Sequence, residues 1–135
     1  MIAYVTVGAN DIGRAERFYS AFLPALGYRL EHYRGDLSYI PSDGQSPDFY
    51  VKSPFDGQTA TGGNGAMVAF EAPDQTSVRT LHAAALAAGG TDEGKPGFRD
   101  TYSANFFVCY LRDPDRNKIA LFSTNPADPQ REEQS

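Results

Sequence analysis

The sequence has little of what builds disulfides, membrane spans or nucleic-acid surfaces. Its 135 residues include one cysteine, two histidines and no tryptophan. The single cysteine, Cys109, cannot form a disulfide within the chain, and a free thiol is typical of a reducing compartment. We therefore expect a cytoplasmic protein.

Long apolar runs and an excess of basic residues are also absent. No run approaches the roughly 20 residues that a membrane-spanning helix needs, and the N-terminal stretch, Met1 to Val5, reads as a strand rather than a signal peptide. Twelve basic against 17 acidic residues give a formal charge of −5, which disfavours binding to the phosphates of nucleic acid. We expect neither membrane nor nucleic acid as a partner. A 41% hydrophobic content is sufficient for the core of one domain.

The chain contains an internal repeat. Residues 4–27 align without a gap with residues 67–90. The identical pairs include Val5 and Val68, Asp11 and Asp74, Leu23 and Leu86, and Gly27 and Gly90. In both copies a short strand with alternating apolar residues precedes an amphipathic helix. Further strand signals follow each helix, although Thr91 to Ala104 gives only a weak one.

These patterns predict an α+β fold of two tandem βαβββ modules, residues 1–57 and 66–124. One domain over residues 1–125 would place the strands in one curved mixed sheet, with the helices on its outer face and a concave ligand cavity inside. The segment 126–135 is acidic, and we expect it to be a disordered tail.

Strand alternation assigns side chains to the two faces of that sheet. The more apolar set is predicted to face the helices: Val5, Val7, Val68, Phe70, Ile119 and Leu121. The alternate set is predicted to line the hollow: Tyr4, Thr6, Met67, Ala69, Ala120 and Phe122. We further expect aromatic side chains around the hollow, at Tyr4, Tyr50, Phe106, Tyr110 and Phe122.

The chain resembles the vicinal oxygen chelate superfamily, and within it the glyoxalase/bleomycin-resistance/dioxygenase-like proteins. The resemblance covers roughly residues 2 to 123 and depends on the order and spacing of its motifs. The main motifs are Val5-Thr6-Val7-Gly8 with Asp11 and Phe18-Tyr19, the strand Gly63 to Phe70, the helix Leu81 to Gly90, Pro96-Gly97-Phe98-Arg99 with Tyr102, and Arg112 to Ile119.

The resemblance implies a divalent metal site, but this chain departs from its pattern. The usual histidines of the first strands fall at Tyr4 and Met67, and the usual glutamate of the last strand falls at Ala120. A phenol is a poor ligand at neutral pH, a thioether prefers soft metals, and a methyl group offers no donor atom. We therefore expect a hollow without a metal or another cofactor.

Several residues have both a functional and a structural interpretation. Arg99 and Tyr102 match positions that the family keeps at the mouth of the hollow, where Arg99 could clamp a carboxylate or phosphate or form a salt bridge with Asp92, Glu93 or Asp100. His32 is either an acid–base group in the hollow or a solvated strand residue. For His82 and Cys109 we expect packing roles. Arg116 stands where the family usually has glycine, which predicts a positive φ.

Two functions remain open. The first is metal-free binding of a small, partly aromatic organic molecule, of the bleomycin-resistance type, for which the resemblance implies a homodimer and the negative net charge mildly favours a cationic ligand. The alternative is an enzyme, either a glyoxalase I-like lyase or isomerase or a ring-cleaving dioxygenase. Both reactions rely on a metal. The catalytic residues of such an enzyme are unknown.

Overall fold

A computed structural model describes residues 1–132. The first module contains β1 (Val5–Gly8), α1 (Ile12–Tyr19), a 3-10 turn (Pro24–Leu26), β2 (Tyr28–Tyr33), β3 (Asp36–Pro41) and β4 (Phe49–Lys52). The second contains β5 (Val68–Glu71), α2 (Gln75–Ala87), β6 (Thr91–Phe98), β7 (Phe107–Arg112) and β8 (Lys118–Ser123). The predicted α+β fold of two βαβββ modules is confirmed. No helix within residues 1–132 has the length and apolar character needed to cross a membrane.

The strands hydrogen-bond as two sheets of four, rather than as one continuous sheet. Their orders are β1-β4-β3-β2 and β5-β8-β7-β6, so each module uses the same topology. In both sheets the first strand of the module is an edge strand and pairs in parallel with the last strand. The repeat seen in the sequence is thus a repeat of the whole folding unit.

The identical aspartates of the repeat begin the two helices. The carboxylate of Asp11 accepts a hydrogen bond from the backbone N–H of Arg14 at 2.9 Å, and that of Asp74 accepts from Ser77 N at 2.7 Å. Each bond satisfies an N–H group that has no partner within the helix. The first helix ends at Tyr19, earlier than the apolar spacing indicates, because Pro24 opens a separate 3-10 turn that Gly27 terminates at a φ of 94°.

One hydrophobic core joins the helices to both sheets. Phe18 and Tyr19 of α1 and Phe22, which follows it, are fully buried. The ring of Tyr19 contacts Phe49 of the first sheet, and that of Phe22 contacts Phe70 of the second. The residues predicted to face the helices all lie in or against this core: Val5, Val7, Val68, Phe70, Ile119 and Leu121. The assignment of strand faces is therefore confirmed on this side.

A buried polar network fastens the first helix to the turn between β7 and β8. Asp113 is 1% exposed; its Oδ2 accepts a 2.6 Å hydrogen bond from the hydroxyl of Tyr19, and its Oδ1 accepts from the backbone N–H groups of Asp115 and Asn117. Oδ1 of Asp115 accepts from both Asn10 and Arg14. Buried carboxylates need such partners, so this turn is a structural joint between the modules.

The linker between the modules lies directly on the same turn. A Cβ atom at Gly62 would stand 1.9 Å from the carbonyl oxygen of Arg116, so only glycine fits there. Arg116 itself has a φ of 72°, as its place in a glycine position predicts. Asn10 adds a pair of hydrogen bonds to the backbone of Ala60.

Two segments differ from the sequence prediction. Residues 91–98 form a full strand, β6, whose pairing with β7 shifts register twice. Gly94, Pro96 and Gly97 interrupt the alternation of apolar and polar residues from which a strand is predicted. The tail makes defined contacts as far as Arg131 instead of the expected disorder. Asp128 accepts from Gln75 N, and Arg131 donates to the loop before β7. The rest of the predicted tail, residues 133–135, lies outside the described residues.

Candidate functional site

The candidate site is the inner face of the two sheets, defined as the strand residues on the side opposite the helices. On the first sheet Thr6 of β1 stands beside Tyr50 of β4, which stands beside Ser38 of β3. The ring of Tyr4 meets the ring of Tyr50 edge to face, with centroids 5.4 Å apart. Tyr4 is 61% exposed, so this pair presents apolar surface without a helix over it.

A cavity of about 540 Å³ opens at one end of this first inner face. Thr6, Asp36 and Lys52 contribute from the sheet, and the loop after β4 forms the opposite wall with Phe55 at its rim. Phe55 is fully exposed. The amino group of Lys52 lies 5.3 Å from the centroid of the Tyr50 ring, which is within the range of a cation–π contact.

The inner face of the second sheet carries a larger aromatic group. Phe106 and Phe122 stack with centroids 5.3 Å apart, and Tyr102 meets Phe106 edge to face. Tyr110 of β7 stands directly opposite Ala120 of β8, and burial together with the nearby Tyr102 hydroxyl raises its pKa. Five of the predicted ligand-binding residues thus come together here.

Two cations flank the ring of Tyr110. The guanidinium carbon of Arg99 lies 5.5 Å from its centroid and the Lys118 amino group 5.1 Å. The ring can lie over β6 only because Gly94 has no side chain, since a Cβ there would be 2.9 Å from the ring. The residues around Gly94 indicate only a weak strand, and nothing among them predicts this role for the glycine.

Arg99 is held by backbone oxygens rather than by a carboxylate. Its guanidinium donates to the carbonyls of Phe98 at 3.0 Å and Lys95 at 2.8 Å. The alternative of a salt bridge with Asp92, Glu93 or Asp100 is excluded: within residues 1–132 Arg99 forms no such pair, and Glu93 pairs with Arg112 and Arg116. Three of the five guanidinium N–H donors of Arg99 therefore remain available to a ligand.

The tail supports the loop that carries these residues. Nη1 of Arg131 donates to the carbonyl of Arg99 at 2.7 Å and to that of Tyr102 at 2.9 Å, and its backbone N–H donates to Ala104 O. This clamp was missed because the tail composition indicated disorder. An arginine among acidic and polar residues gives no sign of its contact.

The three positions of the family's metal ligands lie on or beside the inner face but do not fit a metal. Met67 is 48% exposed and immediately precedes β5, whereas Ala120 is 1% exposed and so offers almost no surface. Tyr4 contacts Tyr50 through its ring. A phenol, a thioether and a methyl group do not supply the nitrogen and oxygen donors that zinc or another divalent ion requires. Within residues 1–132 no group of three or more His, Cys, Asp or Glu side chains could hold an ion.

The two histidines and the cysteine lie away from the inner face. His32 faces α1 and hydrogen-bonds with Glu16, which excludes the alternative that placed it in the hollow. His82 is 7% exposed and bonds to Asp92 at 3.0 Å, as expected for a packing role. Cys109 is fully buried, and burial raises its pKa to about 12, so its thiol stays protonated and inert.

The predicted site residues thus form two groups, one on each sheet. Tyr4 and Tyr50 share the first sheet; Arg99, Tyr102, Phe106, Tyr110 and Phe122 share the second. Sequence reasoning missed Lys52, Lys118, Phe55 and Arg131. Strand alternation could have found both lysines, because each is two residues or fewer from a predicted lining position on the same face.

Comparison with solved structures shows which proteins share this fold. The chain is 38% identical to a glyoxalase/bleomycin resistance protein from Albidiferax ferrireducens, with a TM-score of 0.77 over 90% of this chain and 96% of that one. A glyoxalase-related enzyme from Fulvimarina pelagi (21% identity, TM-score 0.67, covering 96% and 91% of the two chains) shares the fold. So does the fosfomycin resistance protein FosX from Mesorhizobium loti (14% identity, TM-score 0.65, 91% of each chain).

Sequence comparison alone is less informative, since neither a protein-family model nor a curated protein matches the chain. The similarity to the Albidiferax protein extends over both modules and nearly the full length of each chain. The resemblance drawn from the motifs is therefore confirmed, and this chain belongs to the glyoxalase/bleomycin resistance family of the vicinal oxygen chelate superfamily.

Proposed function

We propose that this protein binds a small aromatic organic molecule on the inner face of its sheets, without a metal. The observation that supports this most directly is the residue set of the inner face. A phenol, a thioether and a methyl group stand at the positions that the resemblance assigns to chelating side chains, and exposed aromatic rings, including those of Tyr4 and Tyr102, lie nearby. Aromatic surface beside a few polar groups is the usual lining of a small-molecule site.

The donor chemistry argues against the alternative of a glyoxalase-like lyase or a ring-cleaving dioxygenase. Several structural neighbours are described as glyoxalase or dioxygenase-family proteins, and those reactions use a metal as a Lewis acid or oxygen-activating centre. Tyr4, Met67 and Ala120 provide neither the number nor the type of ligands for such a centre. A binding role needs none of them.

A homodimer fits the two exposed edges. The strands β1 and β5 are both edge strands, and each is preceded by exposed apolar residues, Ile2 and Tyr4 in one case and Met67 in the other. An edge strand offers unpaired N–H and C=O groups, and exposed apolar surface beside it favours association. We propose that a second copy covers these edges and helps to enclose each inner face. A cytoplasmic location remains a prediction that rests on the free thiol of Cys109.

The first experiment is a thermal-shift screen of small aromatic compounds, followed by calorimetry on the compounds that raise Tm. Tyr50→Ala removes the ring that Tyr4 and Lys52 contact on the first sheet, and Phe106→Ala removes the ring that Tyr102 and Phe122 contact on the second. We expect the variant on the ligand's own sheet to weaken binding by about tenfold. Arg34→Ala, which removes the cation beside Tyr33 at a hairpin turn, is the control and should bind normally. Normal affinity in both inner-face variants would place the ligand elsewhere.

Elemental analysis of protein that has not been exposed to a chelator tests the absence of a metal. We expect only trace amounts of zinc, nickel, iron and manganese, and no change in Tm when nickel or zinc is added. One ion per chain would contradict the proposal.

Sedimentation of the protein and of Met67→Glu tests the dimer, since a charge at that edge should shift the mass toward the monomer.

A further inference from the structure

The charges on the inner face point to the class of ligand. Lys52, Arg99 and Lys118 each lie within 5.5 Å of a tyrosine ring, Lys52 at Tyr50 and the other two at Tyr110. Within residues 1–132 none of these three cations forms a salt bridge. Each therefore places a positive charge beside an aromatic ring without a carboxylate in direct contact.

The carboxylates near the second sheet are occupied elsewhere. Glu93 pairs with Arg112 and Arg116, and Asp92 accepts from His82 and from the backbone of Gly94. Glu71 lies on the same face but opposite Phe122, four residues along β8 from Lys118, which is about 13 Å at the rise of a strand. The two charged groups that contact the ring of Tyr110 are both positive, although the whole chain carries −5.

The aromatic surface and the two cations are adjacent. Phe122, which stacks on Phe106, and Lys118 lie on the same face of β8 with Ala120 between them, and Tyr110 stands opposite Ala120. Arg99 can still offer up to three N–H donors to an anion, and its position is fixed by backbone carbonyls before any ligand arrives. A fixed donor loses little entropy when it binds an anion.

We propose that the second inner face selects an aromatic anion. The ring lies against Phe106 and Phe122, and the carboxylate or an equivalent acidic group binds Arg99 and Lys118. This inference rests on the proposed small-molecule function and adds the sign of the ligand's charge. It reverses the expectation, drawn from net charge alone, of a cationic ligand.

Three probes with one ring system test the sign. Naphthoate, naphthamide and naphthylmethylamine differ only in carrying a negative, a neutral and a positive group. Calorimetry at neutral pH should give naphthoate at least tenfold tighter binding than naphthamide, with the amine weakest, and the advantage should shrink as salt rises. Equal or reversed order would overturn the charge selection but leave the aromatic site intact. If none of the three binds at millimolar concentration, the proposed site itself is wrong.

Variants locate the selecting cations. Arg99→Met and Lys118→Met keep the apolar stem, and each should lower naphthoate affinity about tenfold while leaving naphthamide unchanged. Lys118→Arg should restore most of the preference. The matched control is Arg79→Met, which removes an identical charge stacked 4.6 Å from the Phe107 ring on the helix side. A preference for naphthoate that survives both inner-face variants, or that falls equally in Arg79→Met, would overturn the assignment.

Discussion

The two faces of the same strands have opposite characters. On β4, Phe49 is 1% exposed and touches the rings of Tyr19, Tyr39 and Phe70, whereas its neighbour Tyr50 points to the inner face and remains partly exposed. Helices close the first face and leave the second to a ligand or a partner. Residues that stabilise the core therefore alternate along one strand with residues of the proposed binding face, so substitutions at adjacent positions should affect stability and binding separately.

The largest expected effect comes from that adjacent pair. Phe49→Ala should lower the free energy of unfolding by about 3–5 kcal/mol, because it removes a buried ring from the shared core. Tyr50→Ala should lower it by about 1 kcal/mol or less and should instead weaken the binding of a ligand held on the first inner face. Urea unfolding measures the first quantity and calorimetry the second. If Tyr50→Ala proves as destabilising as Phe49→Ala, the two faces are not separate in the way described.

The helix-facing tyrosines provide a second contrast, in alkaline solution. Burial, reinforced by the charge of Glu16, raises the pKa of Tyr39 to about 12, and burial with the Asp48 carboxylate raises that of Tyr28 to about 12. In the unfolded chain both ionise near pH 10. A raised folded pKa means that their contribution to stability is complete below pH 10 and is lost as the pH rises from 10 to 12.

Urea unfolding at several pH values tests this dependence. The free energy of unfolding should fall between pH 10 and 12, and the double variant Tyr28→Phe, Tyr39→Phe should show a shallower fall, because phenylalanine does not ionise. Each substitution also removes a hydrogen bond, so the slope with pH is compared rather than the absolute stability. A slope identical to that of the unsubstituted protein would show that neither phenol is coupled to folding.

The helix-facing side could be predicted from the sequence because its signals are local. Alternation over four residues placed Val68 and Phe70 in the core, and the repeat aligned Asp11 with Asp74, the two residues that begin the helices. The inner face depends on contacts between distant segments. Nothing near Asp113 or Gly94 in the sequence shows that one joins the modules and the other makes room for Tyr110.

Residue type also limited the prediction of the site. Aromatic residues at Tyr50, Phe106 and Tyr110 stand out in a strand, so most of the aromatic lining could be proposed. Alternation puts Lys52 and Lys118 on the inner face, but lysines at strand ends are usually solvated, so their place beside a ring has no signal in the sequence. Whether such a lysine lies over a ring or beside a carboxylate is decided by the neighbouring strand, which only the fold reveals.

The hydrogen bonds from Arg131 to the loop of the second inner face should have the smallest effect on stability. Arg131→Ala removes two hydrogen bonds to the carbonyls of Arg99 and Tyr102, and these exposed or half-buried bonds should be worth about 1 kcal/mol or less of global stability. The loop at residues 99–105 should nevertheless exchange its amide hydrogens faster, since the clamp opposes its local opening. Naphthoate should then bind several-fold more weakly, because Arg99 is no longer held in place before binding.

Arg29→Ala is the matched control, since it removes an arginine that also bonds two backbone carbonyls, but at the β3–β4 loop of the first module. Faster exchange confined to residues 99–105 in Arg131→Ala, with no change there in Arg29→Ala, would identify the tail as part of the second inner face; unchanged exchange would leave the tail as surface packing only.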